Sequence, residues 1–248
     1  MNHTFKLNYK FQTKDERDYK YTVPKAGITI PASFQIKYNK VYDQGALGSC
    51  VSNSFAQMLN IMTNNTINLS RLFHYYNGRL LSGFSNLDDS GLYIRTACKI
   101  ISSIGYNDES LWLYNVNNNT VMPSIASYLA VKKFKTYTYT FINQTVNDLK
   151  QYLVNTNAPI IFGILIYSSF FTKNVMTTGN VPTPNISIEI PIGGHCLTMI
   201  GYDDAKQVFI CLNSWGTGWG DKGLLYIPYK YMINRLLCGD FCGFTIVV

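Results

Sequence analysis

Histidine is scarce in this sequence, with three residues among 248, and charge of either sign is sparse, at 14% of residues. So few histidines leave few candidates for any chemistry that needs an imidazole. The thin charge excludes a highly charged disordered chain, because 47% of residues are hydrophobic and 15% aromatic. That is enough apolar surface for one large domain, or for two lobes sharing an interface. The net charge of +7 comes from basic residues scattered along the chain, the densest group being Lys132-Lys133-Lys135. No nucleic-acid motif accompanies them, so nucleic acid is not an expected partner. Long apolar runs are also missing. Residues 158–167 reach about half the length of a bilayer span, which predicts a buried strand and no membrane partner. Residues 1–30 hold no unbroken apolar run of the kind a secretion signal needs, so an intracellular location and reduced cysteines are expected. Cys238-Gly239-Asp240-Phe241-Cys242 lacks further ligands at zinc spacing, and neither metal nor cofactor is implied.

What is present divides by period. Val51, Phe55, Met58, Leu59 and Met62 fall on one stripe of a helix over 50–62, with Ser49 where an N-cap would sit. Further helices are predicted over 69–78 and 91–101, the latter closed by Gly105. The second half alternates differently. Apolar runs at 197–202 and 208–213 flank the polar turn Asp203-Asp204-Ala205-Lys206, a hairpin signal, and a third strand is predicted over 223–228. Helices first and strands later imply an α+β protein with segregated lobes, and a cleft between lobes is a favoured place for a site.

The strongest local signal is Asp43-Gln44-Gly45-Ala46-Leu47-Gly48-Ser49-Cys50. It puts a cysteine at the first turn of the apolar-striped helix, whose positive end favours a thiolate. Gln44 lies in the loop entering that helix, where its amide could donate to an oxyanion beside the Cys50 N–H. A buried, inert thiol fits the local sequence nearly as well. Of the histidines, His3 is terminal and His74 sits among Phe73, Tyr75 and Tyr76, a structural setting; His195 follows Gly193-Gly194 at the start of a strand. Asn213 ends the partner strand, in Asn213-Ser214-Trp215-Gly216-Thr217-Gly218-Trp219-Gly220. Its carbonyl could accept the His195 Nδ1–H, fix the tautomer and leave Nε2 for the thiol, with Trp215 shielding the bond from water. A glycine-rich turn with core tryptophans explains the glycines, but not an Asn and a His meeting beside a cysteine.

On these residues the chain resembles the papain and cathepsin family of cysteine proteases. Gly48-Ser49-Cys50 matches the glycine, serine and nucleophile of the family signature. His195 lies 145 positions beyond Cys50, within the family's spacing of about 130–150. Asn213 lies 163 positions beyond, slightly outside it. Gly193-Gly194-His195 is closer to cathepsin B, although no His-His pair is present for a cathepsin B type of occluding loop. Leu47 replaces the family's usual disulfide cysteine, and Val51 the common tryptophan.

The resemblance implies a helical lobe and a β-barrel-like lobe with the active-site cleft between them, over residues 31–248. It implies a cysteine endopeptidase acting on polypeptide through a Cys50 acyl-enzyme, with His195, Asn213 and Gln44 completing the catalytic set. Alternatives on the same fold are a catalytically silent peptide-binding protein and a thiol acyltransferase. Ser90 and Gly91 resemble the segment that pairs with substrate backbone, and Gly194, Cys196 and Trp215 flank the same cleft. The S2 pocket is expected to be apolar, walled by Cys196 and side chains of 232–237, with Arg235 as its one charge. Residues 1–30 are too short for the family's helical propeptide. Their alternating Phe5, Leu7, Tyr9 and Phe11 suit an occluding segment or an added sheet strand.

Overall fold

The computed structural model describes residues 5–22 and 29–247; His3 and the proline at position 24 lie outside them. The helical lobe contains α1 (Cys50–Met62), α2 (Arg71–Leu81), α3 (Ile94–Ser103) and the short α4 (Ile125–Leu129). The helix expected over 50–62 forms with those bounds. The next two begin two and three residues later than expected, and the α2 start is set by Ser70, whose hydroxyl accepts the Phe73 N–H. Gly105 closes α3 at φ +111°, its N–H reaching the Ile100 carbonyl.

The second lobe is built on one antiparallel sheet. Its strands are β1 (Ser33–Gln35), β2 (Thr136–Phe141), β3 (Ile160–Tyr167), β4 (Pro191–Asp203), β5 (Val208–Leu212), β6 (Leu224–Pro228) and β7 (Cys238–Val247). The apolar run at 158–167 supplies the central β3, and the expected hairpin is β4–β5. The strand carrying His195 begins at Pro191, so His195 stands inside β4, opposite Ile164 of β3, rather than at a strand start. Three helices interleave with the strands: α5 (Val146–Thr156), α6 (Lys173–Thr178) and α7 (Tyr229–Met232). The period reading missed α5, whose Thr145 cap accepts the Asp148 N–H and whose Leu149, Tyr152 and Leu153 pack on the sheet.

The expected barrel does not form. The strands run in the order β2-β7-β3-β4-β5-β6, with β1 added on β4, and the outermost β2 and β6 do not pair with each other. Each outer edge is covered by irregular chain instead. Residues 19 and 21 bond the end of β2 at Phe141, and Gly179 and Val181 bond Tyr226 of β6. These bonds engage Phe141 at one outer edge and Tyr226 at the other, and the sheet stays open between β2 and β6. Among the described residues no helix is long and apolar enough to cross a membrane.

Helix α1 stands between the two apolar cores, and its residues 50–60 are all buried. Its polar side chains are therefore satisfied internally. Ser52 Oγ meets His74 Nδ1 at 2.9 Å, and His74 Nε2 meets the Ala97 carbonyl at 3.2 Å, so this histidine ties α1, α2 and α3 together. Burial lowers its pKa to about 4. Across the lobe boundary, Ser54 Oγ donates to the Cys196 carbonyl at 3.1 Å and Gln57 Nε2 to the Asn213 carbonyl at 2.8 Å.

The loop entering α1 is braced by a buried ion pair. Arg71 bonds both carboxylate oxygens of Glu109 at 2.5–3.1 Å, and its Nη1 reaches the Asp43 carbonyl at 3.1 Å and Asn53 Oδ1 at 2.9 Å. Removing the carboxylate strands a guanidinium away from water. Glu109→Ala is expected to lower unfolding stability by about 3–5 kcal/mol in urea titrations; a loss below about 1 kcal/mol would mean that the pair braces nothing.

Candidate active site

Gln44 is fully buried, in a turn whose Gly45 takes φ +56°. Its N–H bonds the Ser214 carbonyl at 2.8 Å, and its Oε1 accepts the Ser214 hydroxyl at 2.6 Å. Two acceptors then face the side-chain amide: Nε2 donates to the Leu47 carbonyl at 2.9 Å and to the Lys6 carbonyl at 3.1 Å. Ser49 does not cap α1 as expected. Its hydroxyl lies 2.5 Å from that of Tyr114 and accepts from Asn53 Nδ2 at 3.0 Å, which leaves the first amides of the helix uncapped by it. Cys50, the first helical residue, takes up that opening. Its sulfur is approached by the N–H groups of Cys196 and Val51, which favour the thiolate, but complete burial outweighs them and pushes the thiol up to about 12.

The contact with the Cys196 N–H sets His195, one residue earlier in β4, beside the thiol. The imidazole Nε2–H donates to Asn213 Oδ1 at 2.8 Å, and that oxygen also accepts the Ser214 N–H at 2.8 Å. Nδ1 is buried without a partner. The expectation had the two nitrogens reversed. The far nitrogen of the ring reaches across to Asn213 just past β5, whereas Nδ1, nearer the β4 backbone, is left without a partner. Trp215 stacks on the imidazole at 4.8 Å between centroids, walling off its bond to Asn213. Burial lowers His195 to about 4, against the pull of Asn213. Burial thus favours the neutral form of both the thiol and the imidazole.

What excludes water from them is the chain's own N-terminal segment. Phe5 stacks on Trp215 at 4.2 Å, the Lys6 carbonyl sits on the Gln44 amide, and the Tyr9 N–H bonds the Gly194 carbonyl at 3.0 Å. Between these points Asn8 Nδ2 donates to the Asp89 carbonyl at 2.6 Å, and Lys6 pairs with the Asp89 carboxylate at 3.0 Å. The alternation of Phe5, Leu7 and Tyr9 is not that of an added strand, since residue 8 makes only an isolated bridge to Gly194. It turns these side chains onto the body of the protein. A Cβ on Gly91 would collide with the Asn8 carbonyl, and one on Gly194 with that of Tyr9.

Gln44 and Cys50 of the α1 entry lie against Gly194, His195, Cys196, Asn213 and Trp215 of the β4–β5 hairpin and the turn after it. Ser90 and Gly91 line the opposite edge. The Gly91 N–H is taken by the Tyr75 hydroxyl at 3.0 Å and the Ser90 hydroxyl is buried unpaired, so what Gly91 contributes is room for a backbone rather than a free amide. Sequence reasoning passed over Asp89, which accepts the Gly48 N–H at 2.9 Å and the Tyr75 hydroxyl at 2.5 Å. It also passed over Gln57, whose place at the seventh position after Cys50, on the same side of the helix, was a usable signal. Among the described residues no group of three His, Cys, Asp or Glu could hold a metal ion.

The buried thiol has a measurable consequence. With its pKa near 12, Cys50 in the intact chain should react with iodoacetamide at pH 8 about 10³-fold more slowly than an unhindered cysteine, followed by mass spectrometry. Labelling at the rate of a free thiol would mean that the segment does not cover it.

The model for "Papain family cysteine protease" matches residues 30–242. An uncharacterized peptidase C1-like protein of Acanthamoeba polyphaga mimivirus is 37% identical over 212 residues, spanning 80% of this chain and 67% of that protein. Among solved structures, xylellain, a cysteine protease from Xylella fastidiosa, superposes with a TM-score of 0.89 at 29% identity, over 100% of this chain and 99% of its own. A procathepsin B of Trypanosoma congolense shares the fold at 14% identity and a TM-score of 0.71, covering 97% of this chain and 86% of its own. By its sequence and its fold, the chain belongs to the papain family of cysteine proteases.

Proposed function

We propose that this protease cleaves peptide bonds through Cys50, His195, Asn213 and Gln44, and that residues 5–22 hold it latent. The observation that carries the assignment is the bond from His195 Nε2 to Asn213, which leaves Nδ1 unpaired and open to a proton. Proton transfer from Cys50 to Nδ1 gives the thiolate–imidazolium pair. The thiolate attacks the peptide carbonyl, and its oxygen, now an anion, is held by Gln44 Nε2–H and the Cys50 N–H. The Lys6 carbonyl already occupies the Gln44 amide, in the manner of a substrate oxygen. As the C–N bond breaks, the imidazolium proton passes to the leaving amine. Water then attacks the thioester, giving its proton to His195, and the acid departs from a restored Cys50 thiol.

Latency follows from electrostatics as much as from blockage. The transfer from Cys50 to His195 creates two charges, and burial opposes both. Lifting the segment admits water, lowers the thiol pKa and raises that of the imidazole, so the ion pair becomes accessible at neutral pH. Beyond the cleft the segment is held by Arg95, which pairs with Asp18 at 2.5–2.9 Å and donates to the Thr13 carbonyl at 3.1 Å.

Cys50→Ala should reduce hydrolysis of a peptide reporter by several powers of ten, while Cys98→Ala keeps most of it; turnover retained in Cys50→Ala would remove this cysteine from the mechanism. Deleting residues 1–22 should raise kcat/KM on a short peptide by at least about ten-fold and speed alkylation of Cys50, with a modest drop in melting temperature from the lost Arg95 contacts. A destabilised protein with unchanged specific activity would make the segment structural only.

A further inference from the structure

The turn that carries Cys50 and the edge that carries Gly91 are joined by one carboxylate. Asp89 accepts the Gly48 N–H, two residues before the nucleophile, on both of its oxygens, at 3.0 and 2.9 Å. Its Oδ1 also accepts the Tyr75 hydroxyl at 2.5 Å, and that hydroxyl oxygen accepts the Gly91 N–H at 3.0 Å. Tyr75 is fully buried in α2 and Gly48 is buried too, so the bracket is anchored in the body of the helical lobe.

The loop that bears Asp89 is fixed from beneath as well. The buried Arg79 donates through Nη1 to the carbonyls of Asp88 at 2.7 Å and Asn86 at 3.3 Å, and through Nη2 to that of Asn119. The cation bonded to the Asp89 carboxylate, Lys6 at 3.0 Å, belongs to the N-terminal segment and leaves with it. The bonds to Gly48 and Tyr75 lie within the body and remain. Besides Lys6, the ionisable groups that face the carboxylate are Tyr75 and Arg79 of α2, Tyr114, and Cys50 at the start of α1. The thiol is near enough for the negative charge to disfavour its thiolate.

We propose that Asp89 is a positioning residue for peptide cleavage: through Gly48 and Tyr75 it holds the Cys50 turn and the Gly91 edge at a fixed separation, so that a chain lying along that edge presents its carbonyl to the thiol. This rests on the peptidase reading of the same cleft. Asp89 bonds no reacting atom and acts through the backbone of its neighbours. Its loss leaves a buried N–H and a buried hydroxyl without their acceptor, and both ends of the bracket are freed to shift. The effect falls on the orientation of bound substrate, read in kcat, more than on the backbone contacts that retain it, read in KM. An asparagine in its place keeps an oxygen for the Gly48 N–H and loses only the charge.

The test uses as parent the full chain carrying Phe5→Ala, Lys6→Ala and Tyr9→Ala, which takes two rings out of the cleft and removes the ion pair on Asp89. In that parent Asp89→Ala should lower kcat on a peptide reporter by about ten-fold or more while KM changes by less than about three-fold. Asp89→Asn should recover most of the loss. Alkylation of Cys50 by iodoacetamide, followed against pH by mass spectrometry, needs no turnover. Removing the negative charge favours the thiolate, so the alkylation midpoint should move to lower pH in Asp89→Asn. A kcat within about two-fold of the parent in Asp89→Ala would overturn the proposal. So would a loss that Asp89→Asn shares in full and that tracks a lowered melting temperature, since the residue would then be structural only. Absence of turnover in the parent and in every variant would sink the peptidase reading instead. Asp89 would then be decided by the alkylation midpoint, its hold on the nucleophile sustained by the shift and overturned by an unmoved profile.

Discussion

The arrangement depends on how the polar side of one buried helix is satisfied. Helix α1 is enclosed on all sides, so each polar side chain on it must find a partner or destabilise the fold. Ser54 and Gln57 find theirs on the carbonyls of Cys196 and Asn213, the residues that follow His195 and end the β4–β5 hairpin. Gln57 Oε1 also accepts the Thr198 hydroxyl at 2.9 Å. These bonds cross from the helical lobe to the sheet and set the start of α1, with its cysteine, against the histidine and asparagine. The same contacts that bury the helix thus align the site, and catalytic geometry comes with the interface between lobes.

The cleft is lined with backbone. Gly48, Gly91, Gly163, Gly193 and Gly194 all stand where a Cβ would meet the atoms of residues 7–9. A groove made this way accepts an extended chain by its main chain and leaves side-chain discrimination to the few pockets beside it. The N-terminal segment uses both features. Its backbone lies along the glycines, while Phe5 and Tyr9 occupy the Trp215 face and the Gly163 pocket.

Burial has opposite effects on stability and on chemistry here. It lets Trp215 and the segment protect the His195–Asn213 bond, but it disfavours the charged pair that the reaction needs. The neighbouring dipoles that favour a thiolate, the amides of Val51 and Cys196, are present throughout. In the proposed mechanism, exposure of the cleft removes the burial that raises Cys50 and lowers His195, with these side chains left in place.

Much of this was legible in the chain itself. A thiol at a helix start, a glutamine six residues earlier, and a histidine and an asparagine in consecutive strands are local patterns, and local periodicity determines which elements carry them. The alternation of Phe5, Leu7, Tyr9 and Phe11 suited an added strand, but only an isolated bridge from Asn8 to Gly194 forms and Phe11 is exposed. Other features depend on contacts that no local pattern encodes. Whether the sheet closes is decided by whether β2 and β6 pair, and they do not. Which imidazole nitrogen is bonded and which is left unpaired is decided by the side of the ring on which Asn213 arrives. That Asp240 meets the Tyr9 hydroxyl is decided by a one-residue slip between β3 and β7, because side-chain direction alternates along a strand and a bulge re-aims it. The sequence by itself determined the chemical groups and the elements that bear them; strand pairing and register, which are long-range, decided where those groups point.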